Sequence, residues 1–233
     1  NIKLRTLYLL DEKYGITEED FLSAELSVVP AFRARDIGFD RALIGAYGHD
    51  DRVCAYPALT AILECNTPTH TLMCVLADKE EIGSDGVTGM KSAIMPDLID
   101  AIARARGGES AAVRASSRCL SADVSAAFDP NFADAFEKRN SCLLSAGVVL
   151  TKYTGSRGKS GTNDASAEYI GWLRSVLAKD SVVWQAGELG KVDCGGGGTV
   201  AKYISKHNIE SIDLGVPVIS MHAPYEVIAK VDL

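Results

Sequence analysis

The chain has 233 residues, 47% hydrophobic and 24% charged, the balance of a folded globular protein rather than a disordered one. Its 31 acidic residues outnumber 24 basic ones, and the net charge of -7 argues against a nucleic-acid partner, which needs a basic face. No apolar run approaches the ~20 residues that a membrane-spanning helix requires, so no membrane partner is expected.

In chain order, residues 1–45 mix a short helix in "TLYLLDEKYGI" with strand-like alternation in "SAELSVVPAFRARDIGFD". They read as the tail of a separate or inserted subdomain. From Ala46 onward, strand and helix patterns alternate. "AYPALTAILEC" (55–65) predicts a helix, and "TLMCVLA" (71–77) is a continuous apolar run of buried-strand length. "MPDLIDAIARARGG" carries proline near its start and glycine at its end, the start and stop signals of a helix. "SRCLSADVSAA" is strand-like, "PNFADAFEKRN" helical and "GVVLTKYT" a strand. "DASAEYIGWLRSVLAKD" is an amphipathic helix with Tyr169, Leu173, Val176 and Leu177 on one face. "SVVWQAGE", a helix after "GGGGTV", and "GVPVISM" complete the alternation. The pattern predicts an α/β fold, a mixed central sheet with helices on both faces, whose sites collect at the carboxyl ends of strands.

The six cysteines, Cys54, Cys65, Cys74, Cys119, Cys142 and Cys194, contain no C-x-x-C pair. Cys54, Cys74, Cys119 and Cys142 lie among apolar or small residues and read as buried thiols of a reduced, cytoplasmic protein. "GSRGKSGT" falls short of a phosphate-binding loop, because Tyr153 stands where that motif needs glycine. "CGGGGTV" can bring backbone N–H groups close to a ligand, or serve as a plain flexible turn.

Four acidic or histidine clusters follow apolar runs: His49, Asp50 and Asp51; Glu80 and Glu81; Asp123; and His222. Carboxylates joined by imidazole suit zinc, manganese or cobalt, and a two-metal site activates water for hydrolysis. Such a site also explains the adjacent glutamates, which repel each other and lose hydration at the edge of a core. One would ligate metal while the other accepts the proton of the attacking water. Neighbours on a strand point to opposite faces, so both reach one site only where the strand breaks, at Gly83 and Gly86.

Five segments in order, "GHDDRVCAYPAL", "DKEEIGSDG", "SADVSAAFDPN", "CGGGGTVAKY" and "DLGVPVISMHAPYE", resemble the aspartyl aminopeptidases, a family of dinuclear zinc exopeptidases. They are more distantly similar to the tetrahedral aminopeptidases. The resemblance implies a zinc exopeptidase-like catalytic domain over 46–233, with 1–45 as the end of an inserted β-rich dimerisation domain. It implies that Asp50 bridges two zinc ions, that Glu81 and His222 ligate one and Asp123 the other, and that Glu80 is the general base. Manganese or cobalt could replace zinc. Gly196, Gly197 and Gly198 would lie along the substrate backbone, and Lys152 would read the acidic N-terminal residue of a peptide substrate. The family also supplies a histidine from an upstream H-x-D motif that this sequence does not contain. Its members assemble as homo-oligomers, dimers building a dodecamer. Two other readings stay open: a dinuclear amidohydrolase acting on another amide, and a non-catalytic assembly or scaffold subunit.

Overall fold

The computed structural model describes residues 1–157 and 160–233, and the chain divides into two compact units, Asn1–Ala31 and Phe32–Leu233. Two residues of the loop expected at 155–164 therefore lie outside the described residues. The first unit holds helix α1 (Ile2–Tyr14) and the single turn α2 (Glu18–Phe21). Asn1 caps α1 by accepting the Lys3 N–H, and Gly15 closes it at φ 68°. Thr17 and Asp20 form a reciprocal capping box on α2, and the Lys3 ammonium pairs with Glu18.

The second unit opens with β1 (Arg35–Ile37), β2 (Leu43–Ala46) and helix α3 (His49–Glu64). Helices α4 (Ile94–Ala105) and α5 (Ser110–Ala115) lead into β3 (Arg118–Ser121) and β4 (Ser125–Ala126). Strands β5 (Val148–Thr151), β6 (Tyr153–Ser156) and β7 (Ser160–Asp164) precede helix α6 (Ala167–Lys179). The chain continues through β8 (Trp184–Ala186), the short α7 (Ala201–Ile204), β9 (Glu210–Gly215), β10 (Pro217–Ile219) and β11 (Glu226–Ala229).

The expected mixed α/β architecture is present, with the described strands shared among three sheets. One sheet runs β1-β2-β11-β10-β4, a second β3-β9-β5-β8, and β6-β7 form a hairpin. Both larger sheets mix parallel and antiparallel neighbours: β10 pairs parallel with β4 and antiparallel with β11, and β9 pairs parallel with β3 and antiparallel with β5. β2 pairs with β11 over Leu43–Ala46, so the segment just before Ala46 is tied into the larger unit.

Two of the core clusters show how these layers are held. Val53 and Cys54 of α3 pack on Val124, Val216, Val218 and Ile228 of the first sheet. Tyr169, Leu173 and Leu177 of α6 pack on Leu150 and Ile212 of the second, as the helical spacing predicts. Each such fully buried aliphatic side chain contributes about 1.5–3 kcal/mol. The Tyr169 hydroxyl keeps a partner inside this core, donating to Cys119 O at 3.0 Å.

The expected buried strand at 71–77 does not form. No strand pairs with it among the described residues, and Leu72, Met73, Val75 and Leu76 are exposed. An apolar run becomes a strand only where a neighbour takes up its backbone hydrogen bonds, and only Asp78, just past the run, makes an isolated bridge, to Gly89. Cys74 is consequently half-buried, as is Cys119, while Cys54 and Cys142 are buried as expected and all six thiols are free. "PNFADAFEKRN" forms a 3-10 segment, Pro130–Ala135, broken at Phe132, rather than an α-helix. No described helix is long and apolar enough to cross a membrane.

Candidate metal centre

Glu80 and Glu81 share one 3-10 turn, Glu80–Ile82. Lys79 enters it with φ 64° and Gly83 leaves it with φ 98°. Two backbone bonds lock it: Gly83 N–H donates to Glu80 O at 2.9 Å and Ser84 N–H to Lys79 O at 2.7 Å. Successive side chains of such a turn diverge by about 120°, not the 180° of a strand. The turn, rather than a broken strand, therefore brings both carboxylates toward one side.

Asp50 and Asp51 stand at the start of α3, where their ψ angles of 105° and 44° depart from the helix. Gly48 precedes them in the left-handed region at φ 72°. Behind them Val53 and Cys54 plunge into the core and hold this end of the helix against the sheet. Their neighbour His49 is buried and turns away, its ring N–H donating to Ile44 O at 3.1 Å. Burial lowers its pKa, so it is a neutral structural residue near pH 7.

Asp123 lies in the short link between β3 and β4. Its backbone is pressed against β9, where a Cβ on Gly215 would sit 1.5 Å from Asp123 O. His222 occupies the turn after β10 with φ 67°.

These four segments converge. His222 Nε2 lies 3.0 Å from Asp50 Oδ2 and 3.2 Å from Glu81 Oε1. Donor atoms of Asp50, Glu81 and His222 lie within 4.8 Å of one another, as do those of Asp50, Asp51 and Asp123. Asp50 belongs to both groups. Asp51 is a site residue that the sequence reading left without a role. Its signal was present, as the second acid of a pair beside the first, but only the fold places it next to Asp123.

The electrostatics are those of a site short of positive charge. Burial first, then the negative charge of Glu81, pushes Asp50 up to about 7, with His222 pulling it back. Burial likewise pushes Asp51 to about 7. Asp123 is raised well above the carboxylate range by desolvation and then by Asp51 and Asp50. Glu80 is raised by burial and by Glu81, opposed by Lys202 and His222. Asp51 Oδ1 is buried with no hydrogen-bond partner. Four carboxylates and one imidazole gathered in two overlapping groups, one carboxylate with an orphaned buried oxygen, are unfavourable unless a cation sits among them. Two carboxylates and an imidazole form a suitable donor set for zinc, and the residues present fit that ion.

The other expected site residues are more peripheral. Lys152 is half-exposed between β5 and β6, and its ammonium pairs with Asp164. Gly196, Gly197 and Gly198 lie in the loop before α7, with Gly196 at φ 95°. That loop is packed tightly: a Cβ on Gly198 would meet Gly161 O at 2.4 Å and Lys202 Nζ at 2.9 Å. Thr199 fastens its end to the sheet, donating to Asp213 Oδ1 at 2.6 Å. Lys202, not singled out in the sequence, rests beside this loop and acts electrostatically on Glu80, with no carboxylate partner among the described residues.

The family model described as aminopeptidase I zinc metalloprotease (M18) matches residues 1–233. A probable M18 family aminopeptidase 1 of Clostridium acetobutylicum is 50% identical over 236 aligned residues, covering 100% of this chain and 51% of that protein. One from Thermotoga maritima is 46% identical, covering 100% of this chain and 52% of its own length. This chain thus spans about half the length of those relatives. Among solved structures, aminopeptidase I from C. acetobutylicum superposes with TM-score 0.92 over 97% of this chain and 50% of that one, at 50% identity. The M18 aminopeptidase of T. maritima does so with TM-score 0.93 over 99% and 52%, at 46% identity. A dodecamer structure of mApe1 from S. cerevisiae, 20% identical, shares the fold, with TM-score 0.73 over 98% of this chain and 52% of that one.

Proposed function

Because this chain belongs to the M18 family of aminopeptidase I zinc metalloproteases, we propose that it is the catalytic part of a metal-dependent aminopeptidase that hydrolyses the N-terminal bond of peptides. One observation carries the reading: Asp50, Glu81 and His222, from three distant segments, meet at coordination distance beside Glu80. Asp50, Glu81 and His222 would hold one zinc, and Asp50 with Asp123 would face a second, with Asp51 alongside. Bound zinc supplies Lewis acidity, polarising the scissile carbonyl and making water nucleophilic near neutral pH. Glu80 stays off the metal, accepts a proton from water at its carboxylate and passes it to the leaving amine. Burial and the neighbouring Glu81 raise this carboxyl above its ordinary value, the direction that favours both transfers. The glycine loop would take the peptide backbone of the substrate along Gly196, Gly197 and Gly198.

The preference for acidic N-terminal residues is the finer part of the proposal, with Lys152 as the cation that reads the side chain. Residues 1–45 would close an inserted dimerisation domain, and 46–233 would belong to the catalytic domain. The shared fold of a dodecameric relative supports a homo-oligomer. The free thiols support the cytoplasm.

The test is hydrolysis of aspartyl- and leucyl-peptide analogues after chelation and re-addition of zinc, manganese or cobalt, beside Glu80→Gln. Metal-dependent release of the N-terminal residue, lost in the variant, is the expected result. Bound metal without turnover of any peptide would replace the reading with a scaffold, and turnover only of N-acyl amino acids with another amidohydrolase.

A further inference from the structure

Glu226 opens β11, and its backbone pairs with Ala46 at the end of β2. It is 2% exposed, a burial that an ionised carboxylate tolerates only when its oxygens are hydrogen-bonded. Both are. Oε2 accepts the backbone N–H of Asp50 at 3.0 Å, and Oε1 accepts the backbone N–H of His222 at 2.8 Å. The two amides belong to the two residues whose side chains meet at 3.0 Å. Asp50 enters from the start of α3 and His222 from the turn after β10, so no regular ladder fixes their separation. Glu226 does not itself belong to either converging group of donor atoms.

We infer that Glu226 is a positioning residue for the metal centre, one carboxylate that clamps the backbones of two opposed ligands and sets the gap between their side chains. The inference rests on the metal site proposed above. Its physical basis is bidentate acceptance. A carboxylate offers two acceptor oxygens to two amides, whereas a glutamine presents one oxygen and one N–H donor, leaving one amide facing another donor. The freed backbone would relax, and the ligand gap with it. Outer residues that orient metal ligands govern metal affinity in this way.

A matched control exists in the same chain. Asp232 is 1% exposed, and its two oxygens accept the N–H groups of Ser145 and Gly147, each at 2.7 Å, with neither amide in the metal site. Asp232→Asn therefore breaks the same kind of clamp elsewhere.

The experiment measures zinc affinity by competition with a chromophoric chelator in the wild type, Glu226→Gln, Glu226→Asp, Asp232→Asn and His222→Ala. Exchange of the Asp50 and His222 amide protons is followed in the metal-free proteins, and thermal unfolding in all of them. Glu226→Gln is expected to lose zinc affinity about 10–100-fold, with both amides exchanging faster. Glu226→Asp, one methylene short, should fall between it and the wild type, and it carries the test if the glutamine variant does not fold. Asp232→Asn should unfold earlier yet bind zinc as the wild type does. Wild-type zinc affinity in Glu226→Gln, or equal zinc loss in Asp232→Asn, overturns the positioning role. Retention of zinc by His222→Ala overturns the metal site itself, and the inference with it, so the two failures are told apart.

Discussion

His222 Nε2 stands 3.0 Å from Asp50 Oδ2, although one residue lies in the turn after β10 and the other in the first turn of α3. Glu81 Oε1 approaches the same nitrogen at 3.2 Å. Three residues from three segments thus share one point, and that point lies at the edge of a core built by Val53, Cys54 and Val218. An apolar floor beneath carboxylates strengthens every charge interaction above it.

The first prediction concerns the imidazole. His222→Ala removes the single nitrogen donor of its group. Structural zinc sites are worth about 10–16 kcal/mol over roughly four ligands, so one ligand is worth on the order of 3 kcal/mol, about a hundredfold in affinity. Chelator competition should show that loss, with secondary structure by circular dichroism unchanged. Undiminished affinity would remove His222 from the ligand set.

Glu80→Gln should behave oppositely. Glu80 neighbours Glu81 on the turn but belongs to neither converging group. Zinc affinity should stay within about threefold of the wild type, while kcat falls by about 10²–10⁴, the usual contribution of a positioned general base. Loss of zinc along with activity would make Glu80 a ligand instead.

The acid cluster should make the metal-free protein sensitive to rising pH. Asp50 and Asp51 are held near 7, above the ordinary 3.8, so between those values the folded state binds more protons than the unfolded one. Stability from these groups is full below about pH 4 and is lost as pH rises toward 7. Chemical denaturation from pH 4 to 8 should show Asp51→Asn flattening that decline, and added zinc should remove it in the wild type. A parallel pH profile for wild type and variant would show that Asp51 is not perturbed by its site.

Substrate choice can be assigned to one cation. Lys152 pairs with the exposed Asp164, and Lys202 borders the glycine loop near Glu80. If Lys152 reads an acidic side chain, Lys152→Ala should lower the ratio of aspartyl to leucyl kcat/KM about tenfold, the low end for a charged hydrogen bond at a half-exposed site. Lys202→Ala should slow both substrates alike, through Glu80. A change of ratio in Lys202→Ala alone would move the specificity to that residue.

Gly215→Ala tests the seat of Asp123. The added Cβ would stand 1.5 Å from Asp123 O, a contact that only backbone movement can relieve. The expected destabilisation is about 3 kcal/mol or more, the upper end for overpacking, read as a lower denaturant midpoint. A neutral substitution would mean that the Asp123 link yields freely.

Much of this molecule was legible along the chain. The later part of α3 within 55–64, the helix α6 with Tyr169, Leu173 and Leu177 inward, and the alternation of strands and helices follow from residue periodicity, because burial of one face is a local pattern, whereas the start of α3 at His49 lies ahead of the expected helix. The acids and histidine of the centre were visible as charges placed just past apolar runs. Three things were decided by tertiary structure. The run 71–77 lacks a strand because pairing requires a neighbour that sequence cannot supply. Glu80 and Glu81 reach one side through a 3-10 turn held by backbone bonds to Lys79 and Glu80, not through a strand break. Asp51 acquires its place only when α3 meets the link between β3 and β4, and Glu226 only when α3, the turn after β10 and β11 are brought together. Periodicity records which face of an element is buried. It carries no record of which distant backbone amides a buried carboxylate will hold, since that distance is set by the packing of the sheet as a whole.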